Sequence, residues 1–326
     1  MKTFGTLSDG RTVEEITLSD GSLTARVLTL GAILRDVRLA GVAFPLTLGS
    51  EDLAAYEGPM AYHGAIVGPV ANRIAGAALP GGARLVANQG PNTLHGGPKG
   101  MHGRLWSVTD RGRDFVTLRL DLPDGVEGWP GPQSHEATYR IAGPGALELV
   151  LCSRTDSPCP VGPAQHGYWR LGPGPDLTGH RLTIPAERWT EVDRALIPTG
   201  ACPRVEGSVH DFRRGRVIGP EAGTRYDHNY CLADSRRPRA FAARLEGPVG
   251  LTMTLSTTEP GLQVYDAAGA DTAPFAGLDG QPYGPFAGLA LEPQFWPDFP
   301  HQPEFPQNVL TPGAVSRQET RWSFSR

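Results

Sequence analysis

Apolar and polar residues alternate along much of the chain. Val116, Leu118 and Leu120 are separated by Thr117 and Arg119. Leu147, Leu149 and Leu151 repeat the pattern, as do Leu251, Met253 and Leu255 with threonines between them. A period of two puts one face of a strand against a core and leaves the other more polar. Asp9-Gly10 and Asp20-Gly21 bracket residues 11–18, which predicts a hairpin running into a meander. Helical signals are sparse. The best is residues 50–56, where Ser50 stands ready to cap a short helix with Glu51 and Asp52 in its first turn. Residues 172–175 and 274–285, rich in Pro and Gly, read as long loops. With no internal repeat and no evident boundary, the pattern predicts one all-β domain over residues 1–326, a large antiparallel sandwich. Such a fold offers a broad sheet face lined by residues from distant strands.

Composition narrows the function. At 326 residues the chain is long enough for a large core, and 42 glycines with 31 prolines suit many turns and few long helices. The formal net charge of -4, with signs interspersed and only short basic clusters such as Arg236-Arg237, gives no electrostatic basis for binding nucleic acid or an anionic membrane. The opening residues 1–5 lack the apolar core of a signal peptide and no apolar run is long enough to span a bilayer, so a cytoplasmic location is expected. Cys152, Cys159, Cys202 and Cys231 show no Cys-x-x-Cys spacing. They read as scattered reduced thiols, with a Cys152–Cys159 disulfide left open and zinc not indicated.

Polar groups capable of chemistry cluster in a few segments beside Gly and aromatic residues. They are Ala71-Asn72-Arg73-Ile74, Asn92-Thr93-Leu94-His95-Gly96-Gly97, Gln165-His166-Gly167-Tyr168-Trp169, Tyr226-Asp227-His228-Asn229-Tyr230, and Leu291-Glu292-Pro293-Gln294-Phe295-Trp296-Pro297-Asp298. Singly, each has an ordinary reading: Arg73 as a surface charge, His95 as a loop residue, His166 as a half-buried ring on Tyr168, Asp227 as a turn former. Glu292, between Leu289, Leu291 and Phe295, reads alone as an outward strand residue. Metal-binding spacings, a Walker loop, a dinucleotide fingerprint and a Gly-x-Ser-x-Gly elbow are all absent from the sequence.

Taken in order, these segments resemble the aldose 1-epimerase family, also called galactose mutarotases. Gly64-Ala65-Ile66-Val67-Gly68 leading to Asn72-Arg73-Ile74 is similar to the family's early Gly-rich segment. The 92–97 segment followed by Gly100 and Trp106 resembles its Asn-x-Leu-His-Gly-Gly signature. His166-Gly167-Tyr168-Trp169 resembles the segment of the catalytic histidine. Gly179-His180 through Ile197-Pro198-Thr199-Gly200, Asp227-His228, Thr257-Thr258-Glu259-Pro260-Gly261-Leu262-Gln263-Val264-Tyr265, Leu291-Glu292-Pro293-Gln294 and Leu310-Thr311-Pro312-Gly313 continue the series.

The resemblance implies a large twisted antiparallel β-sandwich, the mutarotase-like supersandwich, with an open cleft on a sheet and no cofactor or metal. It implies a free aldose as partner, whose α and β anomers are interconverted by ring opening and closure. Glu292 would be the general base at the anomeric hydroxyl and His166 the general acid at the ring oxygen, with His95 supporting developing charge. Arg73, Asn72 and Asp227, with Gln263, would hold the other hydroxyls. Tyr168, Trp169 and Trp296 are candidates to pack on the sugar face or in the core. Pro69, Met101-His102-Gly103, Gln165 and Asp266-Ala267-Ala268 depart from the family pattern and bear on which sugar is preferred. Hexose 6-phosphates would call for additional cations. A non-catalytic sugar-binding protein would call for loss of Glu292 or His166, and a glycoside hydrolase for a second essential carboxylate.

Overall fold

The computed structural model describes residues 1–326. Strands dominate, and the sole α-helix is the four-residue turn Leu53–Tyr56. The predicted hairpins are present. Lys2–Thr6, Thr12–Ser19, Leu23–Leu28 and Leu34–Leu39 form a four-stranded antiparallel meander, turning at Asp9-Gly10 and Asp20-Gly21. Gly10 and Gly21 have φ of 88° and 92°, the left-handed region these turns require. The short helix is capped two residues later than expected. Asp52, not Ser50, accepts from the Ala54 amide at 2.9 Å, while Ser50 Oγ donates to the Ala276 carbonyl at 2.7 Å. A backbone acceptor on the 274–285 loop claims the serine hydroxyl, leaving the cap to Asp52.

The alternating segments build a nine-stranded antiparallel sheet. Phe115–Leu122, Gln133–Ile141, Ala146–Thr155 and Ser316–Ser325 lie side by side in it, each buried at every second position. A five-stranded antiparallel sheet runs in the order Tyr168–Trp169, Leu289–Gln294, Gly261–Tyr265, Asp227–Cys231 and Arg188–Trp189. Its back face supplies Trp169, Tyr230, Leu262, Val264, Leu289 and Leu291 to a continuous core with Leu255, Trp322 and Phe324 of the larger sheet. Trp169 packs on Trp322 and Phe324 at ring-centroid distances of 5.5 and 5.7 Å. Burying so many large side chains fixes the smaller sheet's orientation. The residues between them necessarily point to the opposite, front face.

Candidate active site

Register assembles that front face. In an antiparallel ladder, residues directly opposite share a face. Asp227 stands opposite Tyr265, Tyr265 opposite Ala290, and Ala290 opposite Tyr168. One rung along, Asn229 stands opposite Gln263 and Gln263 opposite Glu292. Cys231, Gly261 and Gln294 make the next rung. Glu292 thus points away from Leu289 and Leu291, as strand alternation requires. It is only 2% exposed, however, because the front face is itself covered.

The cover is a clasp of two loops. Arg73–Ile74 pairs with Thr93–Leu94. Just outside this ladder the His95 amide donates to the Asn72 carbonyl at 3.0 Å, and the Asn72 amide donates to His95 Nδ1 at 3.1 Å. Asn72 and His95 hold φ of 64° and 52°, uncommon for residues with a Cβ. Gly96 follows at φ 87°, where a side chain would collide with the Gly68 carbonyl. Because Nδ1 of His95 accepts, its neutral ring carries the proton on Nε2 and presents a donor elsewhere.

These elements enclose a cleft of about 260 Å³ lined by Asn72, Arg73, His95, His166, Asp227 and Glu292, with Tyr62, Gln89, Leu94, Tyr168 and Tyr265. His166 Nε2 lies 3.6 Å from Glu292 Oε1, and the His95 and His166 rings meet edge-on at 5.1 Å. Arg73 donates through Nε to Gln89 Oε1 at 2.6 Å and through Nη1 to Asn72 Oδ1 at 3.3 Å, while Nη2 lies 3.7 Å from Asp227 Oδ2. An acid–base pair, fixed donors and acceptors, and aromatic flanks suit a neutral polyhydroxylated ring. Ligand atoms of His95, His166 and Glu292 also lie within 4.8 Å of one another. Metal coordination through His95 Nε2 would move its proton to Nδ1, against the Asn72 N–H. The tautomer favours donation to a sugar oxygen.

Comparison with known proteins bears on the same region. The aldose 1-epimerase family pattern matches residues 14–323. The chain belongs to the aldose 1-epimerase family. It is 34% identical to the galactose mutarotase of Mus musculus over 337 aligned positions, covering 99% of this chain and 97% of that one. Against the aldose 1-epimerase of Escherichia coli K12 it is 30% identical, covering 97% and 96%. An aldose epimerase homologue from C. elegans superposes with a TM-score of 0.89 at 28% identity, covering 96% of this chain and 99% of that one. The protein is an enzyme that interconverts the anomers of an aldose.

Burial governs the electrostatics of the epimerase site. It pushes the Glu292 carboxyl well above its ordinary range, with Asp227 adding to the effect and Arg73 opposing it. Burial lowers His166 to about 4, with His102 adding a smaller effect. It also takes His95 well below its ordinary value. Burial thus raises the proton affinity of Glu292 above that of His166, so a proton held by the pair in the empty cleft is favoured on the carboxyl.

Six of the residues the sequence singled out, Glu292, His166, His95, Arg73, Asn72 and Asp227, line the cleft. Gln263 does not. Its Nε2 donates to Asp227 Oδ1 at 2.5 Å from the same sheet face, so it orients a lining residue. Among the aromatic candidates, Tyr168 lines the cleft. Trp169, the next residue, faces the core by strand alternation, and Trp296 packs on Phe305 with its indole N–H on the Pro260 carbonyl. Sequence reasoning missed Tyr62 and Gln89, and gave Tyr265, the last residue of the 257–265 segment, no role in the site. Tyr265 lies two positions from Gln263 and follows from the strand period. Tyr62 stands in a run of turns with no periodic signal, yet its ring contacts those of His95, His102 and His166 at 4.9, 4.7 and 6.0 Å. The segments that depart from the family pattern act around the cleft rather than in it. Gln165 bonds the Gly64 carbonyl and the Gly167 amide, shaping the backbone that carries His166.

Proposed function

We propose that Glu292 is the general base and His166 the general acid of anomer interconversion. Their contact at 3.6 Å within the cleft is the observation that carries this reading. Glu292 takes the proton of the C1 hydroxyl, and the electron pair forms the C1 carbonyl as the C1–ring-oxygen bond breaks. His166 gives a proton to the departing ring oxygen. Rotation about C1–C2 presents the other carbonyl face, and reversing both transfers closes the ring. The enzyme ends with its protons where they began. Each transfer contributes about 10²–10⁴-fold, sufficient with positioning for a reaction that proceeds unaided in water. His95 donates Nε2–H to the ring oxygen or the C1 oxygen. Arg73, Asn72 and Asp227 hold the remaining hydroxyls. The names of the mammalian relatives support galactose as a substrate. With Arg73 engaged by Gln89, Asn72 and Asp227, the cleft favours a neutral sugar over a phosphorylated one.

Polarimetry of freshly dissolved α-galactose tests the roles. Glu292→Gln and His166→Asn should lower kcat by about two orders of magnitude or more with substrate still bound. Asp227→Ala should raise KM first. Near-wild-type turnover in folded Glu292→Gln would remove Glu292 from the mechanism. We further assign residues 1–326 to one domain, supported by a core whose members run from Ile16 to Phe324. We place the enzyme in the cytoplasm, supported by its four free cysteines.

A further inference from the structure

The front face of the site sheet continues past Glu292 into a group of buried polar side chains that the acid–base scheme does not use. Asn229, two positions from Asp227, is 1% exposed, and Gln294, two positions from Glu292, is 0% exposed. The terminal nitrogen and oxygen of both amides are buried without a hydrogen-bond partner, and so are Gln263 Oε1 and Glu292 Oε2. These side chains occupy adjacent rungs of one sheet face. Gly261, opposite Gln294, is what lets Asn229 fit, since a Cβ there would run into Asn229 Oδ1 and the Trp296 ring. Buried amides in native proteins are almost always satisfied, and sites with several convergent polar atoms hold ordered water.

We propose that Asn229 and Gln294 hold ordered water against Oε2 of Glu292, and that this hydrated amide pair stabilises the ionised form of the catalytic carboxylate with Oε1 aimed at His166 and the sugar. Both act as positioning residues, and the inference rests on Glu292 being the base. The groups around Glu292 leave this task open. His166 stands at Oε1; His95, Asp227, Tyr168, Tyr265 and Tyr62 face the same cleft. Arg73 is the cation among them and is already bonded to Gln89 and Asn72. Neutral donors are left to stabilise the charge at Oε2, which hydrogen bonding to a carboxylate does well.

The test is the pH dependence of kcat/KM for mutarotation in wild type, Asn229→Leu, Gln294→Leu and Asn229→Ser. The active form has Glu292 ionised and His166 protonated, and the alkaline limb marks loss of that last proton. Removing the water raises the proton affinity of Glu292. In the Leu variants the neutral plateau should then fall about tenfold and the alkaline limb move up by about one pH unit. Asn229→Ser, which restores a donor and space, should return most of both. A lowered plateau with the limb unmoved, or an unchanged profile, overturns the proposal. If the Leu variants fail to fold, the isosteric Asn229→Asp carries the test: added negative charge must raise the limb, and an unmoved limb refutes it. Glu292→Gln is measured alongside. Wild-type turnover there would sink the base assignment itself, a result distinct from an unmoved limb.

Discussion

One proton shared by Glu292 and His166 sets the pH response. Burial lowers His166 to about 4 and raises Glu292, so the pair gains its second proton only near pH 4 and gives up its last above the ordinary carboxylate range. Activity should therefore fall on the acid side near pH 4, with the alkaline limb displaced upward from the ordinary carboxylate range. An acid limb near pH 6.5, the value of a solvated histidine, would contradict this arrangement. Gln263 offers a second check. Losing its bond to Asp227 should raise KM several-fold in Gln263→Leu, about the worth of one hydrogen bond, with kcat little changed. At this scale the sequence was informative where motifs named the residue. It was silent where residues reach the cleft through irregular backbone. Tyr62 and Gln89 stand in turns, and nothing in their spacing marks which way they point. Gln263 was recognised, but only its side-chain geometry shows that it bonds Asp227 rather than lining the cleft.

Strands and loops contribute to the site in different ways. The strand Leu289–Gln294 is pinned by Leu289 and Leu291 in the core, and that pinning delivers Glu292 to the cleft. Period two was legible in the larger sheet, where the outer face meets water. It was obscured here because both faces are buried and Glu292 lies among apolar neighbours. Trp169→Ala, which empties the core side of the neighbouring strand, should destabilise the fold by about 3–5 kcal/mol in chemical denaturation. The loop clasp is held by backbone conformation instead. Gly96→Ala combines left-handed backbone, costing about 1–2 kcal/mol, with collision against the Gly68 carbonyl. Stability and activity should fall together, because His95 is the adjoining residue. Unchanged kcat in this variant would separate the clasp from catalysis. The Asn-Thr-Leu-His-Gly-Gly signature was readable as a motif, while its passage against Gly68 needed three dimensions.

The whole molecule should behave as one strand-rich unit. Far-UV circular dichroism should show helix well below the roughly one-third average of globular proteins. Urea transitions followed by circular dichroism and by tryptophan fluorescence should coincide, since Trp106, Trp169 and Trp322 all belong to the shared core. Two separated transitions would divide the chain into independent units. That Trp169 faces this core while Tyr168 faces the cleft also constrains how the gene can change length. Inserting or deleting one codon within Gly261–Tyr265 or Leu289–Gln294 would exchange the two faces beyond that point, sending leucines into the cleft and Glu292 into the core. The same change at the exposed Asp9-Gly10 or Asp20-Gly21 tips touches neither face. Tolerated length variation in this lineage should therefore concentrate at hairpin tips, with the catalytic strands copied residue for residue.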